Sequence, residues 1–304
     1  MPKDIVHIKS ISEYHRRNGL AKPQHPLVSV INFADIAYPA GGASQVTHGF
    51  YCIALKHLTA GKMKYGQQEY DFDEGILAFV APHQVMRVEL GIRQRLEHSG
   101  YLLIFHPDFL WGTPLAKKIK QYDFFGYHLK EALHLSDKEE NMLVSIFQNI
   151  NQEYHSSIDP FSQDLIITQI ALLLTYSERF YHRQFITRKK SNHSVLEKLE
   201  DLLNDFFKGD NLSSNGLLTV KNISKQLNLS PNYLSKLLKT LTGKSTQEFI
   251  HEKLIQLAKE KLSTTELSVN EIAYGLGFEH PQSFSKLFKK KTQLTPLEFR
   301  KTFN

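Results

Sequence analysis

The sequence predicts an α+β protein of two domains, in which a β-rich half with trailing helices precedes an all-helical half. Three observations carry this prediction. Short apolar runs separated by turn residues fill residues 27–105. Residues 219–250 are repeated, with one insertion, in residues 268–300. The positive charge is also uneven, because residues 186–304 hold 19 Lys and Arg against 12 Asp and Glu, whereas residues 1–185 hold 18 against 19.

The β-rich half is predicted from five apolar or alternating runs that are bounded by Gly, Pro and Asp. They are LVSVINF (27–33), FYCIALKHL (50–58), ILAFV (76–80), QVMRVEL (84–90) and GYLLIF (100–105). Short strands at this spacing predict a sandwich or a small barrel.

Two helices are predicted to follow the strands. Ser136 and Glu139 form a capping box that begins a helix ending near Tyr154. Asp159 and Pro160 begin a second helix, which is apolar around much of its circumference. Two faces of that helix are therefore expected to be buried, one of them either on its own β domain or at a dimer interface. The polar, basic and aperiodic segment 186–193 predicts a linker between domains 1–185 and 194–304.

Each repeat has the pattern of a helix-turn-helix unit. Val220, Ile223 and Leu227 give the first short helix an apolar stripe, which recurs 49 positions later. Asn228 and its counterpart Gly277 fall at the turn, where both residue types tolerate a left-handed backbone. The next helix then begins with a Ser cap and a Pro in the first repeat.

The second helix of each repeat has an apolar face and a polar, cationic face. A polar face of this kind is typical of any solvated helix, but two matched copies favour entry into the major groove of DNA. The predicted DNA-binding residues are Asn232, Ser235, Lys236, Lys239, Gln282, Ser283, Lys286, Lys289 and Lys290. A capping box at Ser245 and Glu248 begins a long connecting helix, and two more begin at Ser268 and Thr295. Reading helices on one face of B-DNA would stand about 34 Å apart.

Residues 194–302 resemble the DNA-binding domain of the AraC/XylS family. The resemblance is carried by Ile272-Ala273 through Gly277-Phe278, by Ser283 through Lys290, by Thr295-Pro296 and by Phe299-Arg300. It implies seven helices, with base-facing residues at Asn232, Ser235, Lys236, Gln282, Ser283 and Lys286. Pro281, Lys253 and Gln293 depart from the family pattern, which leaves the base preference open.

The N-terminal half resembles the family's cupin-like effector domain through residues 75–82 and through the order of strands and helices. The resemblance implies a small-molecule effector, a homodimer, contact with RNA polymerase and activation of transcription. A DNA binder whose β domain only dimerises stays open as an alternative. The pocket residues stay unknown, because the sequence does not fix the strand register.

Enzymatic chemistry is not expected, and neither is a cofactor. A metal-dependent cupin would need an HxH pair, which the 15 histidines do not form, and one cysteine is too few for a zinc-bound methyl acceptor. Thr242 to Ser245 resembles the end of a phosphate-binding loop but has Leu238 at the position of the first Gly. The single Cys52, expected in a strand, and the absence of an apolar leader predict a cytoplasmic protein.

Overall fold

The computed structural model describes residues 5–36, 44–58, 63–65, 68–70, 75–88, 98–128, 131–156, 159–187, 189–208 and 219–303. The chain divides into two compact units, Met1–Gln184 and Phe185–Asn304. The elements of the first unit are β1 (Ile5–Ile8), α1 (Ile11–Arg17), β2 (Val28–Asn32), β3 (Ser44–His48), β4 (Tyr51–Leu58), β5 (Met63–Tyr65), β6 (Gln68–Tyr70), β7 (Ile76–Val80), β8 (Met86–Val88), β9 (His98–Phe105), α2 (Leu115–Lys118), β10 (Leu133–His134), α3 (Asp137–His155) and α4 (Ser162–Thr187).

A five-stranded antiparallel sheet forms the centre of the first unit, with the strand order β10-β7-β4-β9-β2. A three-stranded sheet has the order β1-β3-β8, in which β1 runs parallel to β3. Strands β5 and β6 form a separate hairpin. All five predicted strands are present, although β8 is shorter than its run and residues 89–90 lie outside the described residues.

Residues from both larger sheets pack into one core, which we call the inner cluster. Its buried members are Ile8, Ile11, Ile31, Phe33, Ile36, Phe50, Cys52, Val80, Leu102 and Ile104. Alternation along the strands directs every second side chain toward this cluster, so that Cys52 is buried within a strand as predicted. The two sheets therefore enclose an apolar interior.

The opposite face of the five-stranded sheet is covered by helices. The Tyr101 ring stacks on Phe147 of α3 at 5.7 Å, and the Phe79 ring lies 6.2 Å from Tyr181 of α4. The aromatic segment 122–127 fills this layer, since its Tyr and Phe side chains are all at most 6% exposed and Phe124 lies 4.3 Å from Phe79. These aromatic side chains therefore serve as core packing between the sheet and the helices.

The predicted capping box of α3 is present, with Glu139 accepting from the Ser136 backbone at 3.0 Å. The sequence did not predict β1, α1 and β3. Strand β3 has the polar sequence SQVTH, and it exists because β1 and β8 pair with it from distant parts of the chain. Pairing between strands that are distant in the chain leaves no local pattern in the sequence from which the strand could be predicted.

The segment 186–193 requires a correction, because an aperiodic linker is not what the structure contains. Helix α4 continues to Thr187, and α5 (Lys189–Lys208) begins two residues later. Asn192 is buried and its amide Nδ2 donates to the carbonyl of Phe185 at 2.7 Å, which holds the chain in place. The boundaries of the two domains themselves stay a prediction.

The described part of the second unit contains seven helices, the number that the resemblance implies. After α5 they are α6 (Val220–Gln226), α7 (Pro231–Thr242), α8 (Thr246–Thr264), α9 (Val269–Gly275), α10 (Pro281–Thr292) and α11 (Pro296–Arg300). Six of the seven contribute buried residues to one cluster that includes Leu203 of α5, Ile223 of α6 and Phe284 of α10. The seventh, α11, packs Phe299 against it. The two repeats therefore share one core.

Candidate DNA-binding surface

The turn of each repeat is built in the same way. Asn228 has a φ of 57° and Gly277 a φ of 82°, which confirms the left-handed turn predicted at both positions. The amide of Leu229 donates to the carbonyl of Ser224 at 2.8 Å, and the amide of Phe278 donates to Ala273 at 3.0 Å, 49 residues later. The repeated residues thus produce repeated backbone hydrogen bonds.

Helices α7 and α10 occupy the position of the second helix in each unit. Ser230 caps α7 by accepting from the amide of Tyr233 at 3.2 Å, and Pro231 takes the first helical position. Helix α10 begins with Pro281 after His280, which makes no side-chain capping bond. The phosphate-loop-like segment 242–245 is the end of α7 and the cap of α8, as expected.

The ends of α7 and α10 use the same left-handed cap with different residues. Gly243 ends α7 with a φ of 75°, and Gln293 ends α10 with a φ of 66°. In each case the amide donates to a lysine carbonyl four residues earlier, that of Lys239 or of Lys289. A side chain with a Cβ is strained in this conformation, so Gln293 is a local cost that Gly243 avoids.

We expect Gln293→Gly to stabilise the end of α10 by about 0.5–1 kcal/mol, because glycine adopts a positive φ without steric cost. The reverse change, Gly243→Gln, is expected to destabilise the end of α7 by a similar amount, since a Cβ there meets no atom within 4 Å and adds only backbone strain. Hydrogen exchange of the amides in the last turns of α7 and α10 measures both. Equal protection in Gln293→Gly and the unaltered protein would contradict the expectation.

The two helices bury matched apolar faces. Leu234, Leu237 and Leu238 of α7 are fully buried, and so are Phe284 and Phe288 of α10. The long helix α8 packs against both, with Leu254, Ile255 and Ala258 in the shared cluster. One rigid core therefore fixes the two helices relative to each other.

The opposite faces of α7 and α10 are largely exposed. On α10 the predicted residues Gln282, Ser283, Lys286, Lys289 and Lys290 are all exposed. On α7 Asn232 and Lys239 are exposed, and Lys236 is partly buried.

Ser235 differs from the other predicted residues because its hydroxyl is occupied inside the unit. It lies 3.2 Å from the hydroxyl of Thr246, a buried residue at the start of α8. The structure thus places Ser235 as a link between α7 and α8 as well as on the predicted face.

The electrostatics show that cationic side chains of both repeats converge on α8. The pKa of Glu248 is lowered first by hydrogen bonds from Ser245 and further by Lys239 and Lys291. The pKa of His251 is lowered by burial, and Lys291 and Lys290 lower it further. In the second repeat Lys289 acts on Glu298 as Lys239 acts on Glu248. The side chains of Lys239, Lys290 and Lys291 therefore bring positive charge close to this part of α8.

Sequence reasoning missed Lys291, which is exposed and contributes to this positive charge. The uninterrupted run of three lysines at 289–291 was the signal that could have identified it. All three capping boxes predicted in this unit are present, at Ser245, Ser268 and Thr295.

Within the described ranges no three His, Cys, Asp or Glu residues come together as a metal site would require. The helices in those ranges are too short or too polar to span a bilayer. Two helix-turn-helix units on one core, with exposed cationic second helices, define a class of protein, the DNA-binding regulators with tandem reading helices.

Comparison with known proteins agrees with that class. A family described as a helix-turn-helix domain matches residues 223–302. YijO of Escherichia coli K12, an uncharacterised helix-turn-helix transcriptional regulator, is 23% identical over 62% of this chain and 63% of its own length. YfiF of Bacillus subtilis, with the same description, is 23% identical over 84% of this chain and 78% of its own. The chain thus spans less than two thirds of YijO.

Among solved structures, the C-terminal domain of the response regulator yesN from Fusobacterium nucleatum is 34% identical. The match covers 33% of this chain and 96% of that domain, with a TM-score of 0.29. The C-terminal unit of the chain thus contains a helix-turn-helix domain of the AraC type.

Proposed function

We propose that the chain is a sequence-specific transcription activator of the cytoplasm that binds DNA as a homodimer and responds to a small molecule. The observation that supports this most is the pair of matched, exposed, cationic faces on α7 and α10 above one core. These helices would enter successive major grooves. Unit 1 would hold the effector in a cupin-like interior, and the bound protein would contact RNA polymerase.

Selection of genomic DNA fragments by the full-length protein at physiological salt tests sequence specificity. Recovery of a few fragments that share repeated half-sites would support a regulator. If the protein instead binds every fragment equally and this binding disappears when salt is added, sequence-specific reading by the free protein is contradicted. Binding of that kind reflects phosphate contacts alone.

We expect Lys286→Ala to weaken binding to a selected site by about 1–3 kcal/mol if Lys286 contacts a base edge, and Lys236→Ala to do the same. Lys290→Ala is expected to weaken all DNA equally and to reduce the salt dependence by about one counterion, since a phosphate contact carries no sequence information. Affinities for the selected site and for a scrambled duplex at several salt concentrations separate the two roles.

The matched control is Lys138→Ala, which removes the same charge from an exposed position on α3 in the other unit. It should leave both affinities within the experimental error. If Lys286→Ala behaves like this control, the assigned face of α10 is wrong.

The homodimer is supported by the outer face of α4. The buried face of that helix carries Ile166, Ile170 and Leu173, whereas Phe161, Leu165 and Leu172 are 68%, 51% and 41% exposed. Phe161, just before α4, and Leu165 and Leu172 within it follow one another at intervals of four and seven residues, so they lie on one side of the helix as in a coiled-coil seam. Exposed polar residues continue the seam at Thr168, Thr175, Arg179 and His182. The second copy of the chain would cover this seam.

We expect the double variant Leu165→Asp with Leu172→Asp to be monomeric in light scattering coupled to gel filtration. Carboxylates at the centre of the seam would repel those of the second copy, and removing them from water would cost free energy. Val85→Asp is the matched control, since Val85 is 52% exposed and lies outside α4. A dimer that survives the double change would place the interface elsewhere.

A further inference from the structure

Lys56 is a partly buried cation on the face of β4 that borders the apolar layer between the two sheets of unit 1. It lies on β4 two residues after Ala54, and Ala54 packs against the inner cluster. Because side chains alternate along a strand, Lys56 points to the same face. The contact of its Nζ with the ring of Phe33, at 5.0 Å from the centroid, confirms that direction, since Phe33 belongs to the cluster.

The Nζ of Lys56 contacts the ring of Phe33, and within the described part of the chain no carboxylate forms an ion pair with it. Burial lowers the pKa of Lys56 from 10.5 to about 8. Placing an ammonium group in an apolar environment is costly, and side chains of this kind are characteristic of functional sites.

Residues of two neighbouring strands flank Lys56. Ile76 of β7 and Gly100 of β9 stand opposite Lys56, and Ala54 stands opposite Ala78 of β7. Lys56, Ala54, Ala78 and Gly100 are partly accessible, whereas Ile76, Leu102 and Cys52 on the same face are buried. The face thus combines one amine, three small residues and apolar walls.

We propose that Lys56 binds the carboxylate of a small effector whose apolar body lies over Ala54, Ala78 and Gly100 between the two sheets. This proposal rests on the sensing role proposed for unit 1 and names the chemical class that it senses. A single negative charge fits, because His48, a basic group that contacts this face through Cys52, is held neutral. Burial lowers the pKa of His48 to about 4, and its Nδ1 lies 3.7 Å from the Sγ of Cys52.

The test compares carboxylates with their uncharged amides on the full-length protein. The probes are acetate, hexanoate and phenylacetate against acetamide, hexanamide and phenylacetamide, at pH 7 and constant ionic strength. At about ten times its Kd, a bound carboxylate is expected to raise the melting temperature of unit 1 by roughly 3–5 °C, whereas the amides leave it unchanged.

Lys56→Met keeps the length of the side chain and removes the charge, so it should abolish the carboxylate effect. Lys120→Met, which removes an exposed lysine of the same unit, should retain it. After reductive methylation with ¹³C, the pKa of the Lys56 amine should also rise when the carboxylate binds. The proposal is overturned if no carboxylate moves that resonance, if amides act equally, or if Lys56→Met still responds.

Failure of this proposal and failure of the proposed function give different results. Carboxylate binding at Lys56 without any change in affinity for the selected DNA would support the site and contradict ligand-responsive regulation. If the protein selects discrete DNA sites but none of the carboxylates binds at Lys56, the proposed regulatory function is supported and the proposed carboxylate site is overturned.

Discussion

Gly100→Ala is expected to destabilise unit 1 by about 3–5 kcal/mol, because backbone strain and a steric overlap add at one position. Gly100 has a φ of 117°, and a Cβ placed there would lie 2.2 Å from the carbonyl oxygen of Leu55. The overlap involves backbone of the central strand β4, which cannot move without disturbing its pairing with both β7 and β9. Urea unfolding followed by tyrosine fluorescence measures the loss.

Gly112→Ala is the matched control for this change. Gly112 also has a positive φ, 78°, but a Cβ there meets no atom within 4 Å. It should therefore cost only the strain of a left-handed alanine, about 1–2 kcal/mol. Similar losses for the two variants would mean that β9 shifts away from Leu55 and that the overlap is relieved.

The parts of the fold that were predictable are those with local causes. A capping box occupies four consecutive residues, and all four predicted boxes are present, at Ser136, Ser245, Ser268 and Thr295. The turns at Asn228 and Gly277 depend on the conformational freedom of a single residue. The exposed face of α10 was predictable because the apolar residues shared by the two repeats mark the buried side of the helix, and helical periodicity then places the polar residues on the opposite side.

What could not be predicted depends on residues that are distant in sequence. The link between Ser235 and Thr246 arises only when α7 packs on α8, although the sequence pattern of α7 alone places Ser235 outward. Similarly, residues 186–187 and 189–193 of the polar segment are helical, because Asn192 bonds to Phe185 and because lysines suit a helix as well as a loop.

Lys56 was missed for a related reason. In the run FYCIALKHL a lysine near the end of a strand is usually solvated, and only the position of the second sheet determines that this one is enclosed. The register of β4 with β7 and β9 then brings Ile76, Ala78 and Gly100 next to Lys56 and Ala54. Strand register is a tertiary property, so the candidate effector site emerged only with the fold.

Lys56→Met is expected to raise the free energy of unfolding by about 2 kcal/mol at pH 7. Lowering the pKa from 10.5 to about 8 corresponds to a cost of roughly 3 kcal/mol for the buried ammonium. Loss of the contact between the Lys56 ammonium and the Phe33 ring offsets about 1 kcal/mol of this gain in stability. A residue that weakens the fold in this way is typical of a binding site.

The decisive measurement is how the difference in free energy of unfolding between Lys56→Met and the unaltered protein changes with pH, because the direction of the pKa shift fixes the sign of that change. Below pH 8 the amine is charged in the folded and unfolded states, so the folded protein bears the full cost of burial. Between pH 8 and 10.5 the folded protein releases the proton while the unfolded chain retains it, so the stability of the unaltered protein rises with pH. The advantage of Lys56→Met, measured by urea unfolding at pH 7, 9 and 10, should therefore shrink steadily. Lys120→Met, at an exposed position, should show no such trend, and a constant advantage for Lys56→Met would mean that Lys56 is solvated in the folded protein.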